Sequence, residues 1–411
     1  MNLSRLAREF SFVKGNYLIL LLSWALMNFA AAIPETYYPL YVLALGGTEV
    51  VIGLIGFISF IMLALIQFPG GYLADKHGRR WLIVAMTFGV AATYLVYGLA
   101  PSWHFILVAA VLQSFFLIYQ PALLAMTADS IPSDKRGTGF SIQTILTNTT
   151  RMLGPVVAGV LFLAAGMIST VRIGYSVTFV LFLVAAILRI RLKETLKDRA
   201  GRPSIREVLI SYPRSVKESI LIWRSLPRSM FYLFLVSALL QSVATMCSPF
   251  FVVYATRMLA ITGFDWAFLL SFIVAVRMLA ALPSGKIIDR FGRRIPMAFS
   301  LLLFCPSMLL FAYGDFHRLV VSLFMFGVGE SMWGIAQSSL QADLVPREHR
   351  GKTIGCIQFA TYVLAGVGQL IGGIVYRYVS PRLPFLLFAV LSILLAAFTM
   401  RFIHEPEKRE E

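Results

Sequence analysis

The chain has 411 residues, of which 58% are hydrophobic and only 14% are charged, and its formal net charge is +16. Soluble globular proteins average about 45–50% apolar and about 25% charged residues, so the composition excludes an ordinary soluble protein and indicates one that is surrounded by lipid. The basic residues do not form the single stripe that binds nucleic acid, and no nucleic-acid partner is expected. The three cysteines lie singly in apolar runs, which argues against a structural zinc site or a disulfide framework.

Twelve apolar runs predict twelve transmembrane helices, because about 20 residues cross a bilayer and a helix satisfies its own backbone hydrogen bonds in lipid. In chain order, the runs cover residues 17–44, 50–73, 81–100, 103–127, 139–166, 172–190, 229–255, 265–285, 295–313, 317–341, 353–376 and 384–403. The expected fold class is therefore an all-α membrane protein whose solvent is the lipid bilayer.

One long polar segment, residues 193–228, separates an N-terminal six-helix bundle (1–192) from a C-terminal six-helix bundle (229–411). Apolar residues alternate with Arg and Lys within this segment. That pattern is compatible with a basic amphipathic helix on the anionic inner leaflet, or with a solvated flexible linker.

Lys and Arg are concentrated in alternate loops, on the side of both termini and of the segment 193–228. Positively charged loops remain in the cytoplasm, so both termini and this segment are predicted to be cytoplasmic. Asn is rare and Arg outnumbers Lys, which favours a prokaryotic source and hence the plasma (inner) membrane. We expect a monomer.

Two motifs occur once in each half. GYLADKHGRR at 71–80 is repeated as GKIIDRFGRR at 285–294, and DxxPxxxRG at 129–137 is repeated at 343–351. Both pairs keep the same spacing, which indicates two parallel repeats. The motif residues that we assign to gating are Gly71, Asp75, Gly78, Arg79, Arg80, Asp129, Arg136, Gly285, Asp289, Gly292, Arg293, Arg294, Asp343 and Arg350.

The first motif resembles the signature of the major facilitator superfamily, G-x-L-A-D-[RK]-x-G-R-[RK]. The resemblance covers nearly the whole chain and implies a secondary transporter whose two six-helix halves rock about a central site.

The motif also has a physical interpretation. Gly71 and Gly285 would let two helices approach closely, and Gly78 and Gly292 would permit the turn. The acid of each copy can meet a helix N-terminus.

The resemblance implies a crossed pairing, in which Asp75 faces the eleventh helix and Asp289 the fifth. The arginines of the motif could pair with Asp129 and Asp343, forming a breakable latch on the cytoplasmic side. The alternative is that all these charges only satisfy the positive-inside rule.

A fainter motif lies in the fifth run, where RMLGPVVAG at 151–159 contains Gly154, Pro155 and Gly159. It resembles in part the GPxxGG element of drug–proton antiporters in the superfamily, with Ala158 in place of one glycine. The alternative is close packing of small residues together with a proline kink.

Four ionisable residues stand out within the predicted spans: Glu35, Arg151, Arg277 and Glu330. Such a residue costs at least about 2.5 kcal/mol to insert, which makes each a functional candidate. Glu330 is the leading candidate for carrying a proton and Glu35 the second, while the arginines can bind a substrate anion or hold a Glu ionised. The alternative is two structural ion pairs.

Polar and aromatic residues near these charges suit a pocket for an amphipathic organic solute. Together with Arg151 and Arg277, the substrate-binding candidates are Asn28, Tyr38, Tyr119, Gln120, Gln241, Trp333 and Gln337. Apolar neighbours of this kind can equally face lipid or other helices.

The predicted function is proton-coupled export of small hydrophobic or amphipathic compounds, with the substrate and protons as partners. The alternatives are organic-anion uptake or exchange, and a membrane sensor on the same scaffold. The chain has no Walker loop, nucleophile elbow or HExxH motif, so we expect neither an enzyme nor a cofactor or metal.

Overall fold

The computed structural model describes residues 11–196, 228–344 and 350–405. Its helices are α1 (Gly15–Glu35), α2 (Tyr38–Ala44), α3 (Glu49–His77), α4 (Arg79–Leu99), α5 (Trp103–Phe116), α6 (Gln120–Ser130), α7 (Arg136–Ile190), α8 (Arg228–Cys247), α9 (Phe250–Arg257), α10 (Gly263–Phe291), α11 (Arg294–Ala312), α12 (Phe316–Leu344), α13 (Arg350–Tyr378) and α14 (Leu383–Phe402). Most of the predicted amphipathic segment, residues 197–227, lies outside the described residues.

Eleven helical stretches within these ranges are long and apolar enough to cross a membrane. One of them, α7, has 55 residues, whereas a single crossing needs about 20. Gly166 divides α7 with a φ of 73°, a conformation that glycine adopts without strain. Two spans therefore come from α7, which gives the predicted twelve and confirms the all-helical membrane fold. The expected loop at 167–171 is instead helical.

Three spans are interrupted. The first is broken between Glu35 and Tyr38, the fourth contains a 3₁₀ turn at Leu117–Tyr119, and the seventh is broken between Cys247 and Phe250. Proline cannot donate a backbone hydrogen bond, and Pro34, Pro39, Pro121 and Pro249 lie at these breaks. The breaks change the direction of helices that border the central cavities.

Each half has its own aromatic cluster. In the N-terminal half the rings of Tyr97 and Tyr175 stack with centroids 5.0 Å apart. In the C-terminal half Phe311 and Phe385 are likewise 5.0 Å apart. Such pairs add about 0.5–1.5 kcal/mol beyond their buried area. Both aromatic clusters belong to one hydrophobic core that contains residues of the two halves.

The halves meet at one face of the molecule. We call the face where α1 begins and α14 ends the terminal face, and the opposite one the distal face. Near the distal face α3 packs against α13, α7 against α10, and α2 against α9. The hydroxyl of the buried Tyr37, in the break between α1 and α2, donates to the Gly263 carbonyl of the other half at 2.6 Å.

Glycines allow this approach. A Cβ at Gly53 would lie 2.7 Å from the Gln369 carbonyl oxygen, and one at Gly373 would lie 2.6 Å from that of Glu49. At the terminal face the predicted close approach is absent: a Cβ at Gly71 or Gly285 would meet none of the described atoms within 4 Å. Gly71 and Gly285 therefore make no close contact with the described residues in this conformation, and their role as contact points stays a prediction.

We predict that Gly373→Val destabilises the protein by about 1–3 kcal/mol, the usual cost of overpacking. The valine would have to displace backbone atoms of α3. Gly334→Val is the matched control within α12, since a Cβ there meets nothing within 4 Å. Thermal unfolding of both purified variants tests the contact; equal melting temperatures would contradict it.

Candidate functional site

The first intramembrane ion pair lies within the N-terminal half. Nη2 of Arg151 on α7 donates to both carboxylate oxygens of Glu35, at 2.7 Å each. Glu35 is the last residue of α1, where the span breaks. The side chains of Arg151 and Glu35 are 44% and 56% exposed, so the pair borders open space and is not sealed in the bundle.

The second pair repeats this arrangement in the C-terminal half, where Arg277 on α10 binds Glu330 on α12. Their side chains are 40% and 41% exposed. The sequence left open whether the four charges pair internally, and the structure shows that they do. The Glu330 oxygen that contacts Arg277 is itself buried, whereas Arg277 also lines a cavity.

Two adjoining cavities lie beside the two ion pairs. The first, of about 380 Å³, is lined by Glu35, Arg151 and Arg277 together with Tyr38 and Trp266. The second, of about 350 Å³, shares Glu35, Tyr38 and Gln369 with it and adds aromatic and amide side chains, namely Tyr94, Tyr97, Tyr175 and Gln113. One site thus offers both charge signs beside aromatic rings.

A larger cavity of about 880 Å³ is lined by the predicted Asn28, Tyr119 and Gln120, and by Gln358 and Tyr362 of α13. Tyr94 and Gln113 line both this cavity and the 350 Å³ one, so the two adjoin. The other predicted binding residues, Gln241, Trp333 and Gln337, line none of the three cavities, and Trp333 is 8% exposed.

A third ionic cluster joins the halves at the distal face, and sequence reasoning missed it. Glu49, the first residue of α3, accepts from Arg257 at the end of α9 and from Arg377 in the last turn of α13, both at 3.2 Å. The Glu49 side chain is only 7% exposed, whereas each arginine is about half exposed. The one available signal was that an acid and two of the few basic residues of that side occupy the ends of spans.

At the terminal face the repeated motifs behave largely as predicted. Gly78 and Gly292 have φ of 97° and 79°, which confirms the turns. Arg79 binds Asp129, and Arg293 binds Asp343 at 3.0 Å. Each pair lies within its own half, the first in the N-terminal and the second in the C-terminal bundle, as expected for neighbouring helix ends.

The predicted crossed contacts of Asp75 and Asp289 with the opposite half are not seen among the described residues. Asp289 is exposed and makes no ion pair with the described residues, so the predicted contact with the fifth span is not formed in this conformation. Arg136 is also exposed. The side chains of Asp75 and Arg350 lie outside the described part of the structure.

Two glutamates that the sequence did not single out hold the N-termini of α4 and α11. Glu194 accepts from the backbone amide of Arg80 at 3.1 Å, and Glu405 accepts from the amides of Arg293 and Arg294 at 2.7 and 2.9 Å. Burial tends to raise the pKa of Glu194, but several backbone amide donors outweigh it and hold the pKa below its ordinary value. The two carboxylates thus bind backbone amides of the motif arginines at equivalent positions of the two repeats.

The fifth-run motif packs tightly. A Cβ at Gly154 would overlap Ala32 on α1, and one at Gly159 would lie 3.0 Å from Cβ of Ala267 on α10. Pro155 lines the 380 Å³ cavity. The packing interpretation therefore holds for both glycines, beside the cavity.

The family model and the named relatives of this chain point to the same family of membrane transporters. The model of the Major Facilitator Superfamily matches residues 15–276 and 233–411. The multidrug resistance protein MdtG of Enterobacter lignolyticus is 26% identical over 401 residues, covering 94% of this chain and 91% of that protein. The multi-drug resistance efflux pump PmrA homolog of Lactococcus lactis is 23% identical over 393 residues, covering 91% of each.

Solved structures share the fold at low identity. A crystal structure of the peptide transporter POT has a TM-score of 0.75 at 18% identity, covering 93% of each chain. The human organic anion transporter MFSD10 (TETRAN) has a TM-score of 0.68 at 16% identity, covering 93% of this chain and 98% of that one. The family model confirms the predicted family, and the named relatives agree with the predicted drug-exporting type.

We predict that Glu49→Gln opens the distal face, because a neutral amide no longer compensates the two arginines. The closed arrangement should lose about 1–3 kcal/mol of stability. This is less than the loss for a fully buried ion pair, since both arginines are half exposed. A cysteine at Tyr38, in a cavity otherwise closed from that side, should react faster with an impermeant thiol reagent.

The matched control is Asp315→Asn, an exposed acid in a loop of the same face. It should leave the labelling rate unchanged. An equal rate in Glu49→Gln and the parent protein would contradict the role of Glu49.

Proposed function

Since the chain belongs to the major facilitator superfamily, we propose that it exports small hydrophobic or amphipathic compounds in exchange for protons, by alternating access. The coarser conclusion, a multi-pass membrane transporter and not an enzyme, follows from the family and the helical fold. Proton-coupled export is supported above all by two half-exposed Arg–Glu pairs, one in each half, beside the cavities.

The proposed substrate class rests on the lining of these cavities. Tyr38, Tyr94 and Trp266 offer flat apolar surfaces, and Gln113 and Gln369 offer hydrogen bonds. A pocket of this kind holds many organic shapes, since few of its polar groups impose one orientation. The multidrug names of the two relatives support the same class.

The proposed coupling step uses the competition within each pair. While Glu330 is ionised, it neutralises Arg277; when it takes up a proton, Arg277 is released toward the cavity that it lines. Burial in a low-dielectric site favours the neutral acid, and the arginine favours the anion, so a solute that separates the two can shift the balance. Glu35 and Arg151 form the second such pair.

For the conformational cycle, we propose that the terminal face is cytoplasmic, as the Lys and Arg distribution indicates. The structure then corresponds to the inward-facing state, with the distal face closed by Glu49 and by the glycines of α3 and α13. In the other state the halves would meet at Gly71 and Gly285, where Asp75 and Asp289 could make their crossed contacts.

The second candidate function is exchange or uptake of organic anions. It is favoured by one observation: Arg151 and Arg277 line the same cavity. A doubly basic site can bind a carboxylate or a phosphate directly. The two functions differ in substrate charge and in whether a pH gradient drives accumulation.

We predict that Glu330→Gln lowers pH-driven transport of an amphipathic cationic dye by about a hundredfold or more, the lower end of the range for loss of a proton-transfer group. Binding of the dye should remain, because the amide keeps the shape of the site. Transport is measured in proteoliposomes with an imposed pH gradient, and binding by fluorescence of the purified protein.

The double variant Glu330→Gln with Arg277→Gln separates coupling from structure. If the pair were only structural, removing both charges would restore pH-driven transport to the parent rate. That recovery would remove Glu330 from the coupling mechanism and leave Glu35 as the remaining intramembrane candidate for carrying the proton.

A further inference from the structure

Arg189 is fully buried, with 0% of its surface exposed, one residue before the end of α7. An arginine so near a helix end would ordinarily extend toward water and leave only its alkyl stem in the bundle. Its guanidinium instead points into the N-terminal half, where α1, α4 and the fourth span surround it.

Each contact of this guanidinium is with a neutral group. Nε donates to the Ser23 hydroxyl at 3.1 Å, and Nη1 donates to the Thr87 hydroxyl at 2.8 Å. The ring of Tyr119 lies 5.6 Å from the guanidinium carbon. Nη2 is buried and has no hydrogen-bond partner among the described residues.

The two hydroxyls cannot supply negative charge. Each already donates its own proton to a carbonyl of its helix, Ser23 to Leu20 and Thr87 to Ile83. They therefore present lone pairs to the arginine and nothing more. The cationic group keeps a full charge and at least two N–H donors for which the described residues supply no acceptor.

Other buried charges in the described structure are compensated. Glu49 has two arginines, and Arg79 has Asp129. Arg189 alone among these three lacks a carboxylate within ion-pair distance. An uncompensated ion in a low-dielectric interior costs several kcal/mol, and an always-charged arginine cannot escape that cost by losing its proton.

The surroundings connect Arg189 with the 880 Å³ cavity. Tyr119 itself lines that cavity, as do Trp24, next to Ser23, Val90, one turn beyond Thr87, and Phe182, two turns before Arg189. Tyr119 thus lies between the guanidinium and the cavity.

We propose that Arg189 is the ligand of a buried binding site for a small monovalent anion such as chloride, which enters from the 880 Å³ cavity past Tyr119. A monovalent ion balances the single charge of the arginine. A divalent ion would leave an excess negative charge and would cost more to desolvate. The site is separate from the two Arg–Glu pairs and does not depend on the direction of transport.

The test is binding of ³⁶Cl⁻ to the full-length protein in nanodiscs, measured in gluconate buffer of constant ionic strength. The wild type should show saturable binding of one chloride per chain. Arg189→Gln should weaken it by about tenfold or more, the loss expected for a charge-assisted contact. Arg191→Gln, an exposed arginine two residues away, should bind as the wild type does.

A second measurement covers the case in which Arg189→Gln does not fold. Replacing chloride by gluconate should lower the melting temperature of the wild type, since an anion that binds the folded state stabilises it. No saturable ³⁶Cl⁻ binding to the wild type would overturn the proposal. Unchanged binding in a folded Arg189→Gln variant would overturn it as well.

Discussion

The carboxylate of Glu49 and the two arginines around it determine which face of the molecule is closed. Burying a charged side chain that is only 7% exposed costs several kcal/mol without compensation, and here both compensating charges come from the other half. The cluster can therefore exist only while the halves touch. Just below it, Gly53 and Gly373 let the backbones of α3 and α13 approach so closely that no Cβ would fit. Charge and packing thus favour the same arrangement of the two bundles.

The charges inside the protein fall into groups with different physical roles. Glu49 is buried between the halves, and its pairing is linked to their separation. The pairs Glu35–Arg151 and Arg277–Glu330 lie within single halves and remain about half exposed. Glu35, Arg151 and Arg277 line one cavity, so a solute there would contact them while the distal face stays closed. This division is what the proposed cycle requires, because coupling residues must respond in a state where the gate is still intact.

Much of the architecture follows from local sequence. Spans, turns and the pairing of Arg79 with Asp129 depend on apolar length, on glycine and on charges at helix ends, and all three were predicted. Glu49 was not, because its partners lie 208 and 328 residues further along the chain, and no local pattern joins them. Arg189 was missed because an arginine at a helix end normally faces water. The contact at Gly71 stays a prediction, because it depends on the conformation and a sequence does not specify which conformation is observed.

Distances across both faces of one protein test the account most directly. Spin labels on a cysteine-free background at Ala44 and Val379 would report the distal face, and labels at Ser133 and Arg290 the terminal face; pulsed electron resonance would give the distance distributions with and without substrate. If the halves alternate about the cavities, the two faces should change in opposite directions, so that a longer distal distance accompanies a shorter terminal one. A distal distance that stays short and single in a protein that actively transports, or two distances that lengthen together, would contradict it.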